Sequence, residues 1–127
     1  MMNWEIVKKL IDEHQIFILT THVSPDGDGI GCEIALSRFL KKLGKEVFIY
    51  NSTPTPSQYR FLDRDGEIAV YNPNRDWGNI LRAQVYFILD IGDFRRLKDV
   101  GNAVRMNSAP TVCIDHHPSE NDDFDYF

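Results

Sequence analysis

Three short polar clusters constrain this chain most, because each follows directly on an apolar, strand-like run. His22-Val23-Ser24-Pro25-Asp26-Gly27-Asp28 follows Ile16 to Thr21, Asp90-Ile91-Gly92-Asp93 follows Val85 to Leu89, and Asp115-His116-His117 follows Thr111 to Ile114. In an open α/β sheet, buried parallel strands end at a common edge, so residues just past their carboxyl ends meet in space although far apart in sequence. The predicted result is a pocket of carboxylates and imidazoles. So many acceptors of like charge cannot stay together unpaired, since repulsion and desolvation would neutralise or separate them. A bound cation resolves the conflict. Carboxylates mixed with imidazoles, and no thiolate, suit Mn²⁺ or Mg²⁺ better than a structural zinc. A carboxylate such as Asp90 can bridge two ions about 3.5–4 Å apart, a spacing that clamps both oxygens of an in-line displacement at phosphorus. The pattern therefore points to hydrolysis of phosphate esters or anhydrides.

The rest of the chain supplies the elements such a sheet needs. Asn3 to His14 begins with a good N-cap and spaces Trp4, Ile6, Leu10 and Ile11 helically. Ile30 to Leu43 repeats apolar residues at helical spacing and ends in Lys41, Lys42 and Gly44, as a helix C-terminus should. Val47 to Tyr50 is a further strand, completing a right-handed βαβ unit with Ile16 to Thr21. Asn51 to Ser57 reads as a loop, followed by a helical turn through Tyr59 and Leu62 and a brief strand at Glu67 to Val70. Tyr71 to Gly78 reads as turn-rich and Ile80 to Ala83 as ambiguous. Phe94 to Met106 reads as a helix broken at Gly101 and Asn102. The predicted fold is a three-layer α/β domain with a mainly parallel sheet and helices on both faces.

Composition narrows the partners. A length of 127 residues fits one domain, and 43% hydrophobic residues are ample for its core. A net charge of −5 argues against capture of long duplex nucleic acid, which needs a basic face. Small anionic substrates stay open, because bound metals reverse the local field. Cys32 and Cys113 form no C-x-x-C pair and read as buried thiols of a reducing cytoplasm. No apolar run is long enough for a membrane span, and the charged amino terminus does not read as a signal peptide.

Competing local readings fare worse. An EF-hand loop beginning at Asp26 would need an oxygen ligand where Ile30 stands and a Glu where Ser37 stands. A dinucleotide fingerprint fails because Gly27 and Gly29 are followed by Cys32 at the third position. His116 and His117 would be weak taken alone and gain their weight from the other two clusters. Asp93 reads equally well as a cap for the next helix or as a contact to substrate. Arg96 reads either as a phosphate contact or as part of a solvated face with Arg95 and Lys98. His14 suits a helix end and carries no chemistry.

At these residues the sequence resembles the DHH phosphoesterases. The pattern H-x-x-P-D-G-D-x-x-G is met by His22, Pro25, Asp26, Gly27, Asp28 and Gly31, and D-x-G-D-x-x-R by Asp90, Gly92, Asp93 and Arg96. The name-giving triplet is Asp115, His116 and His117. Within the family the chain looks most like the branch of oligoribonucleases that also act on 3′-phosphoadenosine-5′-phosphate, often called nanoRNases. The resemblance implies a Rossmann-like domain and two Mn²⁺ or Mg²⁺ ions. One ion would be held by His22, Asp26 and Asp90, the second by Asp28, the shared Asp90 and His116. His117 would face the phosphate and Asp115 would orient the imidazoles, with Arg96 and Asp93 near the substrate. The implied partner is a short oligoribonucleotide or nucleotide phosphate, with no membrane and with homodimerisation left open.

The resemblance also carries an expectation about extent. Family members have a fourth ligand Asp well beyond the histidine pair and a second domain that grips the substrate. Asp122, Asp123 and Asp125 lie too close to His117 to be that ligand. The 127 residues are thus expected to be the N-terminal part of a DHH domain, incomplete at its carboxyl end, with the second domain outside them. Rival activities on the same motifs are a single-strand exonuclease, a cyclic-dinucleotide phosphodiesterase and an inorganic pyrophosphatase. A non-catalytic metal- or nucleotide-binding module is the reading of a different class.

Overall fold

The structure, a computed structural model, describes residues 3–91, 93–115 and 125–126. Helix α1 (Trp4–Glu13) starts where the Asn3 side chain accepts from the backbone N–H groups of Glu5 and Ile6. Strand β1 (Ile16–Thr20) follows, then α2 (Gly27–Lys42), β2 (Glu46–Asn51), a 3₁₀ turn (Ser57–Leu62) and β3 (Ile68–Val70). The second half holds α3 (Pro73–Arg82), β4 (Val85–Leu89), a 3₁₀ turn (Phe94–Leu97), α4 (Asp99–Arg105) and β5 (Thr111–Ile114).

The sheet order is β3-β2-β1-β4-β5, and every pairing of these strands is parallel. This is the doubly wound, Rossmann-like arrangement in which strand order reverses between β1 and β4. Alternation along the strands sends side chains to two cores. Phe17, Leu19, Ile49, Val85, Phe87 and Leu89 face α1 and α2, meeting Val7, Ile11, Ile30, Ile34 and Leu40. Ile18, Tyr50, Tyr86, Ile88 and Cys113 face the other way, against Ile80 of α3 and Val100 and Val104 of α4. Because both faces are covered, the middles of the strands are apolar, and polar residues stand at their ends.

Several expectations change. Of the segment read as turn-rich from Tyr71 to Gly78, the part from Pro73 on is the start of α3. Its start signals are standard ones: Asn72 caps with its side chain, Pro73 opens the helix, and Asp76 sits in the first turn. The broken helix is confirmed, but the break falls at Lys98, whose φ is +53°, and not at Gly101 and Asn102. Gly101 lies inside α4, where an added Cβ would stand 3.0 Å from Leu97 Cβ; close packing requires it. Cys32 is exposed, contrary to expectation, because the buried stripe of α2 runs through Ile30, Glu33, Ile34, Ser37 and Leu40. Only Cys113 is a buried thiol.

Asp125 and Tyr126 stitch the chain to β5. The Asp125 carboxylate accepts from Thr111 N at 2.8 Å, and Tyr126 forms a parallel bridge to Val112. Thr111 is the amino end of β5, so Asp125 is at the opposite edge from the clusters. Asp122 and Asp123 lie outside the described residues.

Helix α2 begins close against β1. A Cβ on Gly29 would stand 2.6 Å from Thr21 Oγ1, whereas one on Gly31 would meet nothing within 4 Å. Gly29→Ala should therefore destabilise the fold by about 1–3 kcal/mol through overpacking. Gly31→Ala should stabilise it by about 0.5–1 kcal/mol through helix propensity. Urea denaturation of the two variants beside the wild type checks both signs.

Candidate metal centre

The centre is built from two loops at the reversal point of the sheet. The loop after β1 brings His22, which is 4% exposed, and Asp26, which caps α2. Asp26 divides its oxygens: Oδ1 accepts from Gly29 N at 2.9 Å, and Oδ2 lies 3.6 Å from His22 Nε2. Burial alone would raise the Asp26 carboxyl, but the Gly29 N–H and the His22 ring outweigh it and hold it below the usual value. Asp90, directly after β4, is 4% exposed and adopts φ +53°. A left-handed Asp costs backbone energy that surrounding structure must offset, and such residues gather at functional sites. Here Asp90 N donates to Ile114 O at 2.9 Å, tying the ends of β4 and β5.

Ligand atoms of His22, Asp26 and Asp90 all lie within 4.8 Å of one another. One imidazole nitrogen and two carboxylate oxygens, with no thiolate, form a donor set that fits a divalent cation of the Mn²⁺ or Mg²⁺ kind. His22 is oriented for that task. Its Nδ1 lies 2.6 Å from Val23 O, so a proton on Nδ1 has an acceptor, and Nε2, which faces Asp26, is the nitrogen available to a cation. Arg96 Nη2 lies 3.1 Å from the same nitrogen, so the guanidinium stands beside the ring as a neighbouring cation.

The remaining predicted residues are placed as follows. Asp28 is exposed in the first turn of α2 and is not in the three-residue cluster. Its charge, with those of Asp90 and Asp26, still reaches Cys32 one turn on, whose thiol, though exposed, is raised first by partial loss of solvent and then by these carboxylates. Asp93 caps the 3₁₀ turn Phe94–Leu97 and pairs with Arg95 at 2.6 Å, which takes its carboxyl down to about 2. Arg96 is exposed, and its carbonyl accepts from Val23 N at 2.8 Å, joining the two site loops. Asp115 is half-buried just past β5. His116, His117 and Gly92 lie outside the described residues.

Sequence reasoning passed over the residues that hold this edge together. Asn51, Ser52 and Thr53, read as plain loop, each tie β2 to a different neighbour. Asn51 Oδ1 accepts from Thr21 N at 3.1 Å, Ser52 Oγ donates to Leu97 O, and Thr53 Oγ1 accepts from Ser24 N at 2.7 Å. Glu33 was missed as well. A charged residue on the apolar stripe of an amphipathic helix was the available signal. Glu33 is fully buried; Oε1 accepts from Asn51 Nδ2 at 3.0 Å, while Oε2 meets no partner among the described residues.

The fold and site define a doubly wound α/β domain with an acidic, imidazole-containing cluster at its reversal point. Residues 15–126 match the DHH family, N-terminal domain, and the chain belongs to that family. A stretch of 63 residues, 50% of this chain, is 44% identical to the bifunctional oligoribonuclease and PAP phosphatase NrnA of Thermus thermophilus, covering 18% of that protein. In structure the chain is similar to an exopolyphosphatase-related protein from Bacteroides fragilis, with a TM-score of 0.87 at 24% identity. That match covers 96% of this chain and 36% of the other. The chain thus spans well under two thirds of either relative. No helix among the described residues is long and apolar enough to cross a membrane.

Burial, with a smaller push from Asp63, raises the Glu33 carboxyl from an ordinary 4.5 to about 8 against the opposing Asn51 bond. A group whose pKa is raised on folding favours the folded state at low pH, and this contribution fades as pH climbs from about 4.5 through about 8. Glu33→Gln, which stays neutral, should lose less stability than the wild type over that window. Urea midpoints at pH 5, 7 and 9 check it; parallel curves for the two proteins would refute the assignment.

Proposed function

We propose that these residues form the metal-binding part of a phosphoesterase that hydrolyses short oligoribonucleotides or 3′-phosphoadenosine-5′-phosphate. The observation that carries the reading is the convergence of His22, Asp26 and Asp90 in a chain of the DHH family. The substrate class follows the 44% identity to a protein named for both activities. On this reading the substrate-gripping domain lies outside the 127 residues, and the two thiols, free in the structure, fit a reducing cytoplasm.

Each residue has a defined task. His22 Nε2, Asp26 Oδ2 and Asp90 would hold one divalent cation; Asp28, Asp90 and His116 would hold a second. Two such ions would supply Lewis acidity toward the phosphoryl group and lower the pKa of an attacking water. With a proton on His22 Nδ1 donated to Val23 O, the ring would offer Nε2 to the cation. Arg96, whose Nη2 lies 3.1 Å from His22 Nδ1, would meet a phosphate oxygen with its fork of donors. His117 would face the phosphate, and Asp115 would fix the orientation of the imidazoles. Asp93, engaged by Arg95, would reach the substrate only by exchanging that partner.

Asp90→Asn in the complete gene product should cut Mn²⁺-dependent hydrolysis of a dinucleotide RNA by several orders of magnitude while leaving the fold intact. The change removes the charge shared by both ions but keeps the side chain's shape. The 127-residue chain alone should bind Mn²⁺ in calorimetry yet turn over poorly, because positioning of substrate supplies a large part of such catalysis. Wild-type turnover by Asp90→Asn would remove Asp90 from the mechanism. Failure of RNA and of 3′-phosphoadenosine-5′-phosphate, with cleavage of a cyclic dinucleotide or pyrophosphate, would move the enzyme to another branch.

A further inference from the structure

A buried polar chain runs beneath the centre, and nothing in the proposed chemistry uses it. Glu33 on α2 accepts from Asn51 Nδ2 at the end of β2 at 3.0 Å. Asn51 Oδ1 accepts from Thr21 N at 3.1 Å and lies 3.3 Å from Thr20 Oγ1. Thr21 Oγ1 donates to Leu89 O at 2.6 Å. Glu33, Asn51, Thr20 and Thr21 are each at most 1% exposed. The chain thus crosses from α2 through β2 and β1 to β4, and its last two links are the residues immediately before His22 and Asp90.

The direction of every bond in this chain is determined. Thr21 N can only donate, so the Asn51 atom facing it must be the oxygen. The amide's nitrogen then points at Glu33, which must present an acceptor. Buried polar groups of this kind cost stability unless paired, and one polar group turned the wrong way would leave its neighbours unsatisfied. β1 itself stops at Thr20, so the Asn51 side chain takes over the backbone N–H where the sheet's own pairing ends. Gly29 allows the arrangement, because α2 approaches Thr21 Oγ1 too closely for any side chain.

We propose that Glu33 and Asn51 are positioning residues that fix the Thr21 backbone and so aim His22 Nε2 at the Asp26 and Asp90 carboxylates. This rests on the reading of His22, Asp26 and Asp90 as metal ligands. It goes further in assigning the geometry of the centre to two residues that touch neither ion nor substrate. Glu33 serves here as a neutral acceptor, in keeping with its burial, so a glutamine should replace it.

The test uses the 127-residue chain and two readouts. One is Mn²⁺ affinity by calorimetry. The other, independent of metal, is the ¹⁵N signature of the His22 ring in metal-free protein, assigned by comparison with His22→Ala. Glu33→Leu fills the space but leaves Asn51 without its acceptor, and Asn51→Ala removes the link to Thr21. Both should weaken Mn²⁺ binding by about 10- to 100-fold, the scale on which outer partners of metal ligands act, and should mix the two His22 tautomers. Glu33→Gln should restore a single Nδ1–H tautomer and near wild-type affinity. A folded Glu33→Leu with one tautomer and unchanged affinity would overturn the proposal. If the wild type binds no Mn²⁺, the metal reading falls, and the tautomer comparison alone still decides the positioning role. Should both disrupting variants unfold, hydrogen exchange of the wild type decides. Thr21 N–H exchanging as slowly as the core of β1 supports the bond to Asn51, and exchange at loop rates overturns it.

Discussion

Coverage of both sheet faces is the constraint from which the rest of this molecule follows. With α1 and α2 on one side and α3 and α4 on the other, the middles of the five strands carry mainly apolar side chains. Polar residues are admitted where the strands end, and parallel pairing brings those ends to the same edge. Reversal of strand order between β1 and β4 opens a crevice there. His22 and Asp26 come from one side of it and Asp90 from the other. The cluster is therefore a consequence of topology, and the residues in it need not be near each other in sequence.

Much of this was legible from the chain. The apolar runs at Ile16, Val85 and Thr111 are short, rich in β-branched and aromatic residues, and end in polar clusters, which is the signature of buried parallel strands. The resemblance to the DHH family rested on those same clusters. Helix α3 was hidden for a physical reason. Its sequence is mostly polar, and Trp77, Ile80 and Leu81, though helically spaced, are too few to stand out beside Asn72, Pro73 and Gly78, which look like turn residues. The break at Lys98 carried no local signal at all, since a lysine does not announce a left-handed backbone. Gly101 misled because a glycine needed for close packing looks the same in sequence as one needed for a turn.

The polar residues holding the site edge were harder to read for a different reason. Asn51, Ser52 and Thr53 are ordinary loop residues in composition, and their roles depend on partners some thirty to forty-five positions away. Glu33 lies on a stripe whose other members, Ile30, Ile34 and Leu40, give the helix its buried face. Periodicity assigns a face without saying which polar group will find a partner there. That information is held in the tertiary structure.

The division of labour between the two oxygens of Asp26 has an entropic side. A surface aspartate that captures an ion must first surrender its rotamer freedom, and the loss is charged against affinity. In this chain Oδ1 is already held by Gly29 N as α2 forms, so the side chain is immobilised by folding itself. Oδ2 is left facing His22, 3.6 Å from its Nε2. Nucleation of a helix and preparation of a ligand are one event, and an ion arriving at this edge would meet a carboxylate whose motion had already been arrested.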